Sequence, residues 1–337
     1  MKRKVKWGIL GAGAIVDRWI KGAMQFDDME IVAISSRTRE TAENQAKKWN
    51  IPKVMTYDEM VESPEIEIVY VPVPHTAHKE LAIKAMNAGK HVLVEKPAAI
   101  NAKQFQEMME CAEKNHVFLM EAVWTRFFPI INKALEIVKE GKIGDIRTIE
   151  STFSFRTEDG DTSRLTDIER AGGGLLDVGV YNLHLAEMFY GKAPVRLLGL
   201  ASMDTDEYHI QVDEQAAYIG QYDKGELSVL MSGIRTNTLH TAFIYGTKGH
   251  IVIPTFWKPW EMEVCVGEVT EKIEMPVSQN VEGVTDEGYQ YEIAYVNDCI
   301  RDGVKQSDMV PWKSTLDVLR QMDKLRYDWG LAYPGER

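Results

Sequence analysis

The sequence predicts a doubly wound parallel α/β sheet at its N-terminal end, followed by an α+β domain on a large, mostly antiparallel open sheet. Three observations carry this. Strand, turn and helix alternate through about residue 121; after Arg126 the pattern changes to long alternating segments with few helices; and 337 residues exceed what one core fills comfortably. The expected division is 1–122 and 123–337, and with no repeat, low-complexity stretch or Pro/Ser-rich linker the two domains are expected to be tightly joined.

In chain order, VKWGIL, EIVAIS, IEIVYV, KHVLVE and HVFLME are short, β-rich and flanked by turns, as buried parallel strands are. Between them TRETAENQAKKW, TAHKELAIKAMNAG and NAKQFQEMMECAEKN carry helical periodicity. The second half opens with a helix near INKALEIVKEG. It continues with VDEQAAYIGQYDKGELSVLMSG and TAFIYGTKGHIVIP, whose Asp223-Lys224-Gly225 and Thr247-Lys248-Gly249 signal hairpin turns. Helices near YEIAYVNDCIRDG and STLDVLRQMDKLRYDWG close it.

Composition excludes several classes of function. With 45% hydrophobic and 27% charged residues the chain is an ordinary globular protein, and a formal net charge of -12 argues against a nucleic-acid partner. No apolar run approaches the ~20 residues of a membrane span. The opening MKRKVKWGILGAGAIV has the outline of a signal peptide, but Gly8, Gly11 and Gly13 interrupt it and it reads better as a strand entering a glycine turn. Cys111, Cys265 and Cys299 are far apart and lack metal-ligand spacing, so no metal site is expected and the cytoplasm is the default compartment.

Two stretches carry chemistry. In WGILGAGAIV, Gly11, Gly13 and Ala14 stand between the first strand and the first helix, where backbone N–H groups approach a dinucleotide pyrophosphate. Val16 occupies the position of the third small residue, and the turn alone also suits a structural glycine turn or a methyl-donor site. EIVAIS is followed by Ser36 and Arg37 where an NAD-selective fold places an acid. A hydroxyl and a guanidinium suit a 2'-phosphate, so NADP is expected, with NAD possible; the other reading of Arg37 is a solvated helix start. Glu95 and Lys96 end a strand whose carboxyl end faces the nicotinamide in this fold, although a strand-end lysine is often simply solvated.

The second stretch is AGGGLLDVGVYNLH, residues 171 to 184. Helical spacing sets Asp177, Tyr181 and His184 on one face, while leucines and valines cover the rest of the cylinder. Either the stripe lines a cavity or it is a buried hydrogen-bond network that fixes packing.

Taken together, the glycine turn, VPVPHTAH, EKP, GKIGDI and GGGLLDVGVY resemble the glucose-fructose oxidoreductase, inositol dehydrogenase and rhizopine catabolism (Gfo/Idh/MocA) family over nearly the whole chain. FLMEAVWTRFFP, VDEQAA, GTKGHIVIP and GYQYEIAYVNDCI look most like its dimeric dihydrodiol dehydrogenases and NADP-dependent D-xylose 1-dehydrogenases. The resemblance implies an NADP-dependent oxidoreductase acting on a sugar or diol carbinol, and a homodimer or larger oligomer. At matching positions it implies that Lys96 contacts substrate and cofactor, Asp177 holds the reacting hydroxyl or the lysine, and Tyr181 is the acid/base. Relatives resembling inositol dehydrogenases carry histidine at the position of Tyr181. On the cofactor side it implies Ile15, Pro74, His75 and His78, with Trp124 and Arg126 at the start of the crossover; the other reading of either histidine is a helix-start residue making a backbone hydrogen bond, and of Trp124 and Arg126 packing alone.

The chemistry agrees with those roles. Oxidising a carbinol needs its hydroxyl proton removed as hydride leaves, and a phenol with a reference pKa of ~10 is a poor base without a neighbouring cation. Lys96 is that cation. Asp177 alone opposes the phenolate, so it is assigned to positioning the hydroxyl and keeping Lys96 charged. His184 has two readings, a second sugar hydroxyl or completion of the network. RTEDGDTSRLTDIER, Trp257 and Trp260 are candidates for substrate selection, with packing against the sheet as the other reading of the tryptophans. Other activities consistent with the family are an oxidoreductase or glycosidase that retains its nucleotide; from a different class, a non-catalytic nucleotide-sensing protein.

Overall fold

The computed structural model describes residues 2–158, 163–203, 210–275 and 288–336; part of the RTEDGDTSRLTDIER segment lies outside them. The chain divides into two compact units: Met1–Ala99, Lys103–Trp124 and Val277–Trp312 in the first, and Ile100–Ala102, Thr125–Pro276 and Lys313–Arg337 in the second.

The first unit alternates as expected: β1 Val5–Leu10, α1 Ala14–Ala23, β2 Met29–Ser35, α2 Arg39–Trp49, β3 Lys53–Val54, α3 Tyr57–Glu62, β4 Ile68–Val71, α4 His78–Asn87, β5 His91–Glu95, α5 Ala102–Asn115 and β6 Leu119–Ala122. Its six parallel strands run β3-β2-β1-β4-β5-β6, so the order reverses between β1 and β4 and opens a crevice at their carboxyl ends. Every residue of β4 is buried, as is every residue of β1 but one, because helices cover both faces of the sheet.

The second unit contains α6 Pro129–Lys139, β7 Ile146–Ser154, a π-helical turn Leu175–Gly179 running into α7 Val180–Tyr190, and then β8 Arg196–Ser202, β9 Gln215–Gln221, β10 Leu227–Gly233, β11 Ala242–Gly246, β12 Gly249–Ile253, β13 Glu261–Val266 and β14 Val269–Glu274. Its eight strands run β14-β13-β12-β11-β7-β10-β9-β8, and among these pairings only β7 with β10 is parallel. Both expected hairpins form, β9–β10 and β11–β12. Helix α7 lies on one face: Asn182 Oδ1 accepts from Ser151 Oγ at 2.7 Å and Asn182 Nδ2 donates to the Met231 carbonyl at 3.1 Å. On the opposite face Leu198, Ile219 and Val229, in cross-strand register, are exposed.

Two findings differ from the sequence reading. Helix α8, Tyr289–Asp302, which that reading places within 123–337, packs on the first unit. A Cβ added at Gly22 of α1 would lie 2.7 Å from Tyr289 Cβ, and the buried Trp7 indole donates to Asn297 Oδ1 at 2.9 Å. The last helix, α9 Trp312–Trp329, enters the second unit from Lys313 onward. The other difference is the π turn, which breaks the regular helical phase assumed for Asp177, Tyr181 and His184.

Candidate active site

The three glycines before the π turn are there for close approach. Gly173 has φ +109°, and a Cβ on it would lie 2.2 Å from Asp213 Oδ1; one on Gly174 would lie 2.9 Å from Gly233 Cα. The backbone can therefore press against the start of the sheet, and Asp213 Oδ2 accepts from the Leu175 N–H at 2.5 Å, satisfying one of the donors a helix start leaves open. Burial lifts the Asp213 carboxyl to about 7.

This start fixes where the polar stripe points. Asp177, Tyr181 and His184 are all buried, and they have three different environments. Asp177 Oδ1 accepts from Arg164 Nη2 at 2.8 Å. Tyr181 joins an aromatic cluster: its ring is 5.5 Å from Phe153 and 6.5 Å from Trp257, and those two stack at 5.0 Å. His240 closes the cluster, 4.7 Å from Phe153, with Nδ1 accepting from the Trp257 indole at 3.3 Å and Nε2 on the Ser154 carbonyl at 2.8 Å. Trp260 stands apart, exposed under the Lys258 ammonium.

His184 enters a deeper network. Its Nδ1 is 3.0 Å from Arg126 Nη2, which also donates to Glu187 Oε2 at 2.5 Å, and Glu187 Oε1 accepts from Ser314 Oγ at 2.7 Å. A guanidinium only donates, so Nδ1 must accept and the imidazole carries its proton on Nε2. Burial would raise the Glu187 carboxyl, but Arg126 and Ser314 outweigh it and hold the group below its ordinary range. Arg126 thus stands in a buried ion pair rather than at an open surface.

In the first unit, Gly11 has φ +148°, and a Cβ there would lie 2.8 Å from the Pro72 carbonyl oxygen. Gly13 meets nothing nearer than 3.9 Å, Gly13 and Ala14 are exposed, Ile15 is half-buried, and α1 starts without a side-chain cap. Such a turn fits a pyrophosphate. Beyond β2, Ser36 and Arg37 line a recess of about 350 Å³ together with Arg39, Thr56, Tyr57 and Lys84. Arg39 pairs there with Glu43 at 2.8 Å, and Lys84 pairs with Asp58.

Glu95 and Lys96 are half-buried at the end of β5, with Glu95 accepting from the Tyr70 hydroxyl at 2.5 Å and from the Lys96 N–H at 3.1 Å. Pro74 is exposed and His75 buried. His78 is fully buried with Nδ1 at 2.9 Å from the Pro97 carbonyl and Nε2 at 2.8 Å from that of Val73. Both ring nitrogens face main chain, so its work is to tie the loop after β4 to the loop after β5. Trp124 is buried, stacked on Tyr289 at 4.3 Å with the Arg18 guanidinium over its ring.

The profile described as "Oxidoreductase family, NAD-binding Rossmann fold" matches residues 5–123, and the GFO/IDH/MocA C-terminal domain matches residues 131–252. The chain belongs to the Gfo/Idh/MocA oxidoreductase family. Within that family it is 32% identical over 337 residues to a trans-1,2-dihydrobenzene-1,2-diol dehydrogenase of Mus musculus, covering 99% of each chain. It is 33% identical over 335 residues to the enzyme of that name from Xenopus tropicalis, covering 98% of this chain and 99% of the relative. Its fold is shared by KijD10, a 3-ketoreductase from Actinomadura kijaniata, at TM-score 0.85 and 21% identity over 96% of this chain and 98% of that one. An aldose-aldose oxidoreductase from Caulobacter crescentus also has TM-score 0.85, at 24% identity over 96% of both chains. This family member is therefore an oxidoreductase with a nicotinamide-cofactor fold.

Phe153 and His240 are absent from the residues singled out in the sequence, and Arg164 enters there only as part of the RTEDGDTSRLTDIER segment. Each reaches the Asp177–Tyr181 turn from a different strand or loop, and no local spacing announces it.

Proposed function

We propose that this oxidoreductase uses NADP to move a hydride between the nicotinamide and a ring carbinol, that of a trans-dihydrodiol or C1 of an aldose. The observation that carries this reading is Tyr181, a phenol set against the stacked Phe153–Trp257 pair, four residues beyond the carboxylate of Asp177. Trp257, half-buried over Phe153, offers an apolar surface to a ring, and Tyr181 offers an oxygen that takes the hydroxyl proton. When bound, the nicotinamide supplies the hydride acceptor. Lys96 supplies the cation that stabilises the phenolate, and Asp177 orients the hydroxyl. Full-length relatives named for a dihydrodiol support the substrate class.

The preference for NADP is supported by the recess beyond β2, where Ser36, Arg37 and Arg39 stand and no acid ends the strand. Arg37→Ala is expected to lower catalytic efficiency with NADP by about ten- to a hundredfold, the loss of one charge-assisted contact, and to leave NAD turnover nearly unchanged. A wild-type preference for NAD would refute the assignment.

The deciding experiment is a panel of trans-diols and aldoses with NADP, followed at the NADPH absorbance band. Net reduction of free NADP supports a dehydrogenase. Enzymes that retain their nucleotide, or that only sense it, give no net change.

A further inference from the structure

We infer that Arg164 is a positioning residue for the acid/base step: bound to Asp177, it neutralises the carboxylate four residues before Tyr181 and so keeps the phenol ionisable. The inference rests on the proposed role of Tyr181 and adds a residue to it.

The argument begins with a conflict inside one helical turn. Asp177 orients a hydroxyl best as a carboxylate, and a carboxylate one turn from a phenol opposes the phenolate. Removing the acid would remove the orienting group. Pairing it with a cation resolves the conflict, because the negative field at the phenol falls while the group stays a carboxylate. Arg164 Nη2 sits 2.8 Å from Asp177 Oδ1 and occupies that one oxygen. The Arg164 side chain is 43% exposed and that of Asp177 is 10% exposed, so the carboxylate is buried while its cation reaches in from the surface.

The other charged groups around this turn follow the same rule. On α7, Glu187 is paired with Arg126, and His184 accepts from that same guanidinium. From the segment leading into β9, Glu214 is paired with Arg235 at 2.8 Å, and Asp213 under the helix start is held up near 7 by burial. His240 beside Phe153 is held between the Trp257 indole and the Ser154 carbonyl. Glu150 of β7 lies in register with Phe243, alternating with the buried Ile149 and Ser151, and so faces away; Arg156 and Glu158 beyond β7 are exposed. Each buried carboxylate of this environment is thus balanced or partly protonated, and for Asp177 Arg164 does the balancing.

The test is the pH dependence of kcat/KM for oxidation of trans-1,2-dihydrobenzene-1,2-diol by NADP in the full-length protein. The ascending limb, which rises as the phenol ionises, is expected to move up by about one pH unit in Arg164→Gln, because Asp177 without this cation disfavours the phenolate more strongly. Arg164→Lys is expected to move it less than half as far, and Arg164→Gln combined with Asp177→Asn to return it towards the wild-type position. Asp213 is common to all these variants and cancels in the comparison. An Arg164→Gln enzyme slowed equally at every pH, with its limb in place, shows a merely structural role and overturns the inference. If Tyr181→Phe loses the limb while Arg164→Gln leaves it unmoved, the role of Arg164 fails alone. A Tyr181→Phe enzyme that keeps the limb overturns both that role and the acid/base assignment.

Discussion

Burial alone makes a phenol a worse base. Tyr218 on β9 and Tyr222 just beyond it are both pushed up by burial, Tyr222 to about 12, and Tyr70 is raised by burial and by Glu95. A tyrosine that handles a proton near neutrality therefore needs cations, which is the work proposed for Lys96 and, through Asp177, for Arg164. Tyr181→Phe keeps the ring and removes only the oxygen; turnover is expected to fall ~100- to 10,000-fold with NADPH affinity nearly intact. Lys96→Met is expected to shift the ascending limb of oxidation to higher pH. If Tyr181→Phe runs at near the wild-type rate while His184→Ala is dead, the histidine one turn on is the base. Asp177 and Tyr181 were singled out in the sequence as polar groups in an apolar run, which shows whatever the exact helical phase. His184 was ambiguous because its partner Arg126, itself paired with Glu187, reaches it only in the fold; the segment holding Arg164 was noted, but its pairing with Asp177 was not, because a salt bridge between a loop and a helix has no period.

At the scale of the element, the π turn and the glycines before it set the rotation of α7. Gly173→Ala would bring a Cβ onto the Asp213 carboxylate at a φ that side chains rarely adopt. The expected cost is about 2–4 kcal/mol, read as a lowered midpoint of denaturant unfolding. Full stability in this variant would show that the close approach is not required. The buried parallel strands were legible because helices cover both their faces and leave near-continuous apolar runs, as in β4 and β5. Strands β13 and β14 were not singled out because β13 is only partly buried, β14 is almost wholly exposed, and both carry charges, so they read much like surface loop. The π turn was unreadable, since one extra residue per turn leaves the apolar pattern almost unchanged.

For the whole molecule, the open face of the eight-stranded sheet has the largest consequence. Leu198, Ile219 and Val229 form one cross-strand row there, beside Leu200, whose surface is 83% exposed. Apolar patches of this kind mark association surfaces, and a second copy of this chain is the proposed cover. Light scattering is expected to give a dimer or larger at micromolar concentration, and Leu200→Asp to weaken it; a wild-type monomer would refute the assignment. The return of α8 to the first unit bears on biosynthesis. The indole of Trp7 finds its partner only when Asn297, 290 residues later in the chain, emerges from the ribosome. The nucleotide-binding half therefore waits, incomplete, through translation of the entire antiparallel sheet. This chain departs from the common order in which an N-terminal domain finishes folding before its neighbour is made.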